Sequence, residues 1–229
     1  PYAVNLFNLP TVAYSGEIDR QKQAADVMAR AFEREGMKLT HLVGPKTDHK
    51  YHPETKAELN KLIDALAEKG LDTMPKKIRF ATMTLRYNRS HWLQIDRVGE
   101  HWSPARVEAE RDDAVGVVVT TSNVTAMSMV CPFRGKKVVI DSQSLDMPEV
   151  LMNGVRYVHL AKRDGKWTLD AAFEAELLRK RHGLQGPIDD AFMDRFIMVA
   201  PTGTPLNDVV GKWADAEMKH AIEHWRRQF

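Results

Sequence analysis

SGEIDRQKQAADVMARAFEREGMKLTHLVGPKTDHKYHPE, residues 15–54, decides how the first part of the chain folds. Ala24, Val27, Met28, Ala31 and Phe32 recur at helical spacing, so residues 21–35 read as a helix that Gly36 stops. Before it, residues 10–16 (PTVAYSG) form a short apolar run closed by a glycine. After it, residues 39–43 form another, closed by Gly44-Pro45, and both read as strands. Pro53 opens a second helix, striped by Leu59, Leu62, Ile63 and Leu66 and ended at Gly70. Strand, helix, strand, helix is the order of a parallel pair joined by a right-handed crossover. Parallel strands are buried on both faces, and two are too few for that. The expectation for residues 1–72 is therefore the C-terminal portion of an α/β domain, a partial sheet whose start lies outside this chain.

From about residue 76 the texture changes. IRFATMTL, HWLQID, RVEAER, GVVVTTSNVTAMSMV, KKVVIDSQ and VRYVHLAKRDGKWTL are β-rich runs with alternation, and Asp164-Gly165 is a tight-hairpin signal. Residues 78–169 are expected to form mainly antiparallel strands, since helical crossovers are absent. Residues 171–183 (AAFEAELLRKRHG) read as a helix stopped by Gly183, and residues 190–203 as a short helix and a strand. A last helix starts near Thr204-Pro205, with Val210, Trp213, Ala214, Ala221 and Trp225 on one side. It runs to Phe229 without a cap, which reads as truncation. Residues 68–77 (EKGLDTMPKK) are the expected boundary, with a β-rich α+β domain over 76–229 and with Trp167 and Trp213 buried in it.

Composition sets bounds only. The 229 residues are 43% hydrophobic and 28% charged with net charge +2, ordinary for a globular protein. No strong case for nucleic acid or a membrane surface follows, and no apolar run approaches the ~18 residues of a membrane helix. Cys131 is alone, so no internal disulfide forms. The chain starts at Pro1 and shows no leader pattern, so it reads as a processed product or an excised fragment.

Asp19 and His49 carry the chemistry. Both fall just beyond the carboxyl ends of the two expected strands, where functional groups of parallel sheets gather. On hydrolase sheets of this kind a triad runs nucleophile, acid, histidine, and an acid followed by a histidine fits its last two members. The carboxylate sets the imidazole tautomer, and the imidazole takes and returns the nucleophile's proton. Blander readings compete: Asp19 as a helix N-cap, and His49 as a solvated loop residue. His49-x-x-His52 has metal-ligand character but lacks a third ligand, so neither a metal nor a cofactor is expected.

PTVAYSGEIDRQKQAADVMARAFEREG followed by LTHLVGPKTDHKYHPET resembles the C-terminal end of the catalytic domain in the prolyl-oligopeptidase family of serine peptidases, over residues 8–68. In that family the acid lies in an SGexDxq loop and the histidine follows the next strand as GHGY or similar. The resemblance implies Asp19 as triad acid and His49 as triad base. Lys50 stands where glycine is usual, which leaves His52 as the rival base; His49 is preferred because it directly follows the strand and turn. The remainder resembles an additional domain attached in some large bacterial members. The family's nucleophile sits in a Gly-x-Ser-x-Gly elbow, and no such motif occurs here: Ser15 has Ala13 in place of the first glycine, and Ser122 has no flanking glycine. The implied parent is a serine peptidase working through an acyl-enzyme on a peptide substrate. Its serine would lie upstream, and the remainder of the hydrolase domain would be this chain's partner. An esterase of the same fold and a non-catalytic binding or assembly module are the alternatives.

Weaker features read as structural. The pairs His91-Trp92, His101-Trp102 and His224-Trp225 fit packing better than a ligand groove. Asn88-Arg89-Ser90 and Asn123-Val124-Thr125 match the glycosylation sequon by chance. Residues 179–182 (RKRH) suit a helix C-terminus. Cys131 reads as a small buried hydrophobe.

Overall fold

Val12–Gly16 (β1) and Thr40–Gly44 (β2) pair in parallel, with Ser15 opposite Val43 and Gly16 opposite Gly44, in the computed structural model, which describes residues 2–112, 114–131, 136–147, 156–169 and 179–229, the side chain of Asp189 excepted. Lys22–Arg34 (α1) makes the crossover, and Pro53–Lys69 (α2) follows β2. The stops are those the sequence provides. Gly36 and Gly70 both take φ near +65 to +70°, where glycine alone is unstrained, and Pro53 occupies the first turn of α2. The apolar stripe of α1 is only partly used. Phe32 is buried, but Val27 is 55% exposed, because the described part of this sheet is two strands wide.

The second part is a β-sandwich. Its strands are Lys77–Thr82 (β3), Arg89–Ser90 (β4), Leu93–Val98 (β5), Ala105–Asp112 (β6), Gly116–Ser122 (β7), Val124–Cys131 (β8), Lys137–Ile140 (β9), Gln143–Asp146 (β10), Arg156–Arg163 (β11) and Lys166–Leu169 (β12). One sheet has the order β10-β9-β7-β6-β3, the other β12-β11-β8-β5-β4. Period-two alternation drives them together. In β6, Ala105, Val107 and Ala109 are buried while Arg106, Glu108 and Glu110 are not. Val107, Val119, Ile140 and Ile78 of the first sheet share one core with Ile95, Met127, Leu160 and Trp167 of the second. Neighbours are antiparallel, as expected, except β7 and β9, which pair in parallel. Gly116 permits that approach: a Cβ there would lie 2.2 Å from the Lys137 carbonyl oxygen.

Both parts belong to one compact unit, Pro1–Gln185, and the boundary expected at 68–77 lies inside it. Among the described residues, contacts at the Ala3–Asn8 turn and at Glu35 join them. The 3₁₀ turn Ala3–Asn8 lays its asparagines along the free edge of β3. Asn5 accepts the Ala81 N–H (2.7 Å) and donates to the Ala81 carbonyl (2.8 Å), and Asn8 donates to the Lys77 carbonyl (2.7 Å). Glu35, at the end of α1, takes a bidentate pair from Arg106 (3.0 and 2.7 Å), while its carbonyl accepts from Arg79 (2.6 Å).

A polar row crosses the second sheet on the side away from the core. Asp96 sits in a bulge of β5, between Ile95 and Arg97, with its carboxyl buried. It accepts from Gln94 Nε2 (2.5 Å) and from Ser128 Oγ, which also meets His159 Nδ1 (2.9 Å). Burial pushes this carboxyl's pKa up, outweighing the Ser128 and Gln94 hydrogen bonds and the charges of His159 and Arg179. An acid with a raised folded-state pKa contributes stability that is present below its unfolded value of about 3.9 and is lost as pH rises through the folded value. Asp96→Asn is therefore expected to flatten the fall in stability above about pH 4, read as urea midpoints across pH. An unchanged slope would reject this assignment.

Gly186–Phe229 forms the second unit. Its 3₁₀ turn Ile188–Phe192 precedes a long helix, Asp208–Gln228 (α3), capped by Asn207 Oδ1 on the Val209 and Val210 N–H groups. Trp225 packs against Phe192, Phe196 and Phe229, and Phe196 meets both Phe192 and Trp225 edge-on. Two expectations are corrected here, and a third falls mainly outside the described residues. Trp213 is not buried but 64% exposed, since α3 has no buried residue. The strand expected within 190–203 does not form: residues 195–200 pair with no other strand among the described residues. The helix expected over 171–183 falls mainly on 171–178, outside the described residues, and beyond it Arg181 and Leu184 form an isolated bridge around Gly183.

Of the features read as structural, Trp102 departs, being 55% exposed, and the helix expected to end at residues 179–182 falls on 171–178, outside the described residues. Trp92 is buried with its indole N–H on the Pro75 carbonyl (2.9 Å). The sequon amide of Asn88 is buried on the Ile95 carbonyl, and that of Asn123 bonds the Glu100 and Ser103 carbonyls. Cys131 is buried, and burial pushes its thiol up to about 12. No described helix is long and apolar enough to cross a membrane.

Candidate active site

The loops after β1 and β2 are held together by backbone. Glu17 N–H bonds the Gly44 carbonyl (2.9 Å) and Ile18 N–H the Thr47 carbonyl (3.1 Å). Gly16 allows the loops to touch, because a Cβ there would lie 2.1 Å from the Thr47 oxygen and 2.3 Å from the Asp48 oxygen. Glu17 adds a clasp by accepting the Lys46 N–H (2.7 Å). Asp19 leaves one loop and His49 the other, at the carboxyl end of the strand pair.

His49 Nδ1 lies 3.0 Å from Asp19 Oδ2. A carboxylate only accepts, so the imidazole proton belongs on Nδ1 and Nε2 is left as the acceptor. The Asp19 side chain is 9% exposed and that of His49 is 74% exposed. Among the described residues nothing hydrogen-bonds the His49 Nε2. Asp19 also serves the helix entrance: its Oδ1 accepts the Gln21 N–H (2.8 Å), forming an Asx turn just before α1. Asp19 is not the N-cap of α1, which is Gln21 without a side-chain cap bond; the Asx turn and the histidine contact take one oxygen each. The Gln21 N–H, and then the His49 hydrogen bond and charge, hold the Asp19 carboxyl below its ordinary range.

His52, the rival base, is turned elsewhere. It is the N-cap residue of α2, its N–H bonds the Tyr14 hydroxyl (2.7 Å), and its Nδ1 faces Thr55 Oγ1 at 3.4 Å. No group of three or more His, Cys, Asp or Glu side chains suited to a metal ion occurs among the described residues. Ser15 is buried, with its hydroxyl 2.7 Å from His41 Nε2 on the neighbouring strand. That pair lies on the side of the sheet opposite Tyr14.

Sequence reasoning missed Tyr14, Gly16 and Gly44. Gly16 and Gly44 read as strand ends, but each also marks a close approach, by the Thr47–Asp48 backbone and by the Tyr14 hydroxyl. A glycine at the same register position of both strands was the available signal. Comparison with protein-family profiles, curated proteins and solved structures found no match to this chain.

Proposed function

We propose that this chain supplies the acid and the histidine of a Ser-Asp-His triad in a serine peptidase of prolyl-oligopeptidase type, within an α/β-hydrolase domain. The observation that carries this reading is the 3.0 Å contact of Asp19 with His49 Nδ1 beyond adjacent parallel strands, with the imidazole's other nitrogen open to solvent. Asp19 holds the imidazole in the tautomer whose Nε2 accepts the serine proton and later returns it to the leaving amine. The acylated oxygen would come from a serine outside these 229 residues, which hold no Gly-x-Ser-x-Gly elbow. An esterase of the same fold would use the same pair, and hydrolysis of matched amide and ester reporters separates the two.

The test is fluorophosphonate labelling together with hydrolysis of a prolyl or alanyl reporter amide. The 229-residue chain is expected to remain unlabelled and inactive, because an acid and a base provide no group to acylate. A longer polypeptide joining it to the elbow is expected to label stoichiometrically. Stoichiometric labelling of the short chain would place the nucleophile inside it and overturn the proposal.

A further inference from the structure

The loop bearing His49 is fixed on both sides. Before the histidine, the Thr47 carbonyl is bonded by Ile18 and packed on Gly16. After it, the Tyr14 hydroxyl donates to the Lys50 carbonyl (3.0 Å) and accepts the His52 N–H (2.7 Å). These two groups flank Tyr51, whose ring packs on that of Tyr14 at 4.7 Å. Lys56 lies 5.5 Å from the Tyr51 ring. Gly44 makes room for the hydroxyl: a Cβ there would lie 2.3 Å from Tyr14 Oη and 2.8 Å from the His52 Cβ. Tyr14 thus reaches from β1 across β2 to a loop 36–38 positions on.

We propose that Tyr14 is a positioning residue for His49, an inference that rests on the acid–histidine reading above. The His49 imidazole is largely exposed and its contact to Asp19 is one hydrogen bond, so ring packing does not set its place. The path of the backbone through residues 47–52 sets it instead. A displacement near 1 Å is enough to cost a catalytic group about 10²-fold in rate. The two bonds of Tyr14 remove that freedom on the side of the loop that the Gly16 contact does not reach. Phenylalanine at position 14 would keep the stack on Tyr51 and lose both bonds.

The test is Tyr14→Phe, read in two ways. In the 229-residue chain, the ring nitrogens of His49 are followed by NMR at a pH where the imidazole is neutral. The wild type is expected to hold the Nδ1–H tautomer, and Tyr14→Phe to shift towards Nε2–H in a protein that stays folded, with the melting temperature lowered by only a few degrees. Gly44→Ala, which displaces the hydroxyl while keeping the tyrosine, is expected to give the same shift. In the elbow-containing polypeptide, Tyr14→Phe is expected to lower kcat roughly 10- to 100-fold with KM changed less than about twofold. In a His49→Ala background the same replacement is expected to have no further effect. An unchanged His49 tautomer in Tyr14→Phe, or an equal rate loss in the His49→Ala background, would overturn the role of Tyr14. The tautomer is read without any nucleophile, so its failure leaves the peptidase reading standing. Full activity after His49→Ala would sink that reading instead.

Discussion

On the proposed triad, His49→Ala in the elbow-containing polypeptide is expected to lower the acylation rate by orders of magnitude, about 10⁴-fold or more, because the serine would then have no base. Asp19→Asn is expected to be nearly as severe. The amide is the same size, but it presents an N–H donor where the imidazole Nδ1–H needs an acceptor, which favours the wrong tautomer. The Gln21 N–H would then face an amide in place of a charge. Both variants are expected to leave folding nearly intact, since the His49 side chain is largely exposed and an asparagine at position 19 still offers an oxygen to the Gln21 N–H. The measurement is kcat/KM on a reporter amide beside a denaturation curve. Full activity after His49→Ala, in a folded protein, would remove the peptidase reading of this site.

Trp167→Ala is expected to destabilise the sandwich by about 3–5 kcal/mol, the range for deleting a buried aromatic ring. The ring is 2% exposed, between the two sheets, and its N–H donates to Asp141 Oδ2 (2.9 Å). Asp141 closes the β9–β10 hairpin and also receives the Thr121 N–H (2.8 Å), the Thr121 hydroxyl (2.7 Å) and Lys162 (3.3 Å). Burial alone would raise its pKa, but the Trp167, Thr121 and Lys162 bonds together lower it. A lowered folded-state pKa means stability that is present above the unfolded value and is lost as pH falls through the folded one. Trp167→Phe, which fills most of the space but leaves Asp141 one donor short, is expected to cost about 1–3 kcal/mol and to weaken that acid dependence. Chemical denaturation measures both. A Trp167→Ala variant within ~0.5 kcal/mol of wild type, as surface replacements are, would contradict the core placement.

The first four elements were legible because their signals are local. Glycines at 36 and 70 and the proline at 53 end or start helices through their own backbone preferences, and the helices observed end within a residue or two of the expected positions. Asp19 and His49 were legible for a related reason: their position depends on where two strands stop. What could not be read depends on distant partners. Nothing near Trp213 says that no residue of the long helix around it is buried among the described residues, and its apolar period looks like that of any packed helix. The run at 195–200 has strand-like composition but finds no strand to pair with among the described residues. The parallel pairing of β7 with β9 hides in a sequence full of hairpins. The Tyr14 clamp joins residues 36–38 apart through one hydroxyl, and no periodicity reports that.

The asparagines of the 3₁₀ turn have a consequence for solubility. An outer strand with open N–H and C=O groups is a template for another molecule. Side-chain amides imitate a neighbouring strand, and those of Asn5 and Asn8 occupy backbone groups of Lys77, Arg79 and Ala81 that would otherwise recruit one. The turn is tethered to β1 by only a few residues, so loss of order in the parallel pair would uncover the sandwich rim. Local melting of the first part is thereby expected to open the β3 edge to intermolecular β-pairing, which links the order of the parallel pair to resistance against self-assembly.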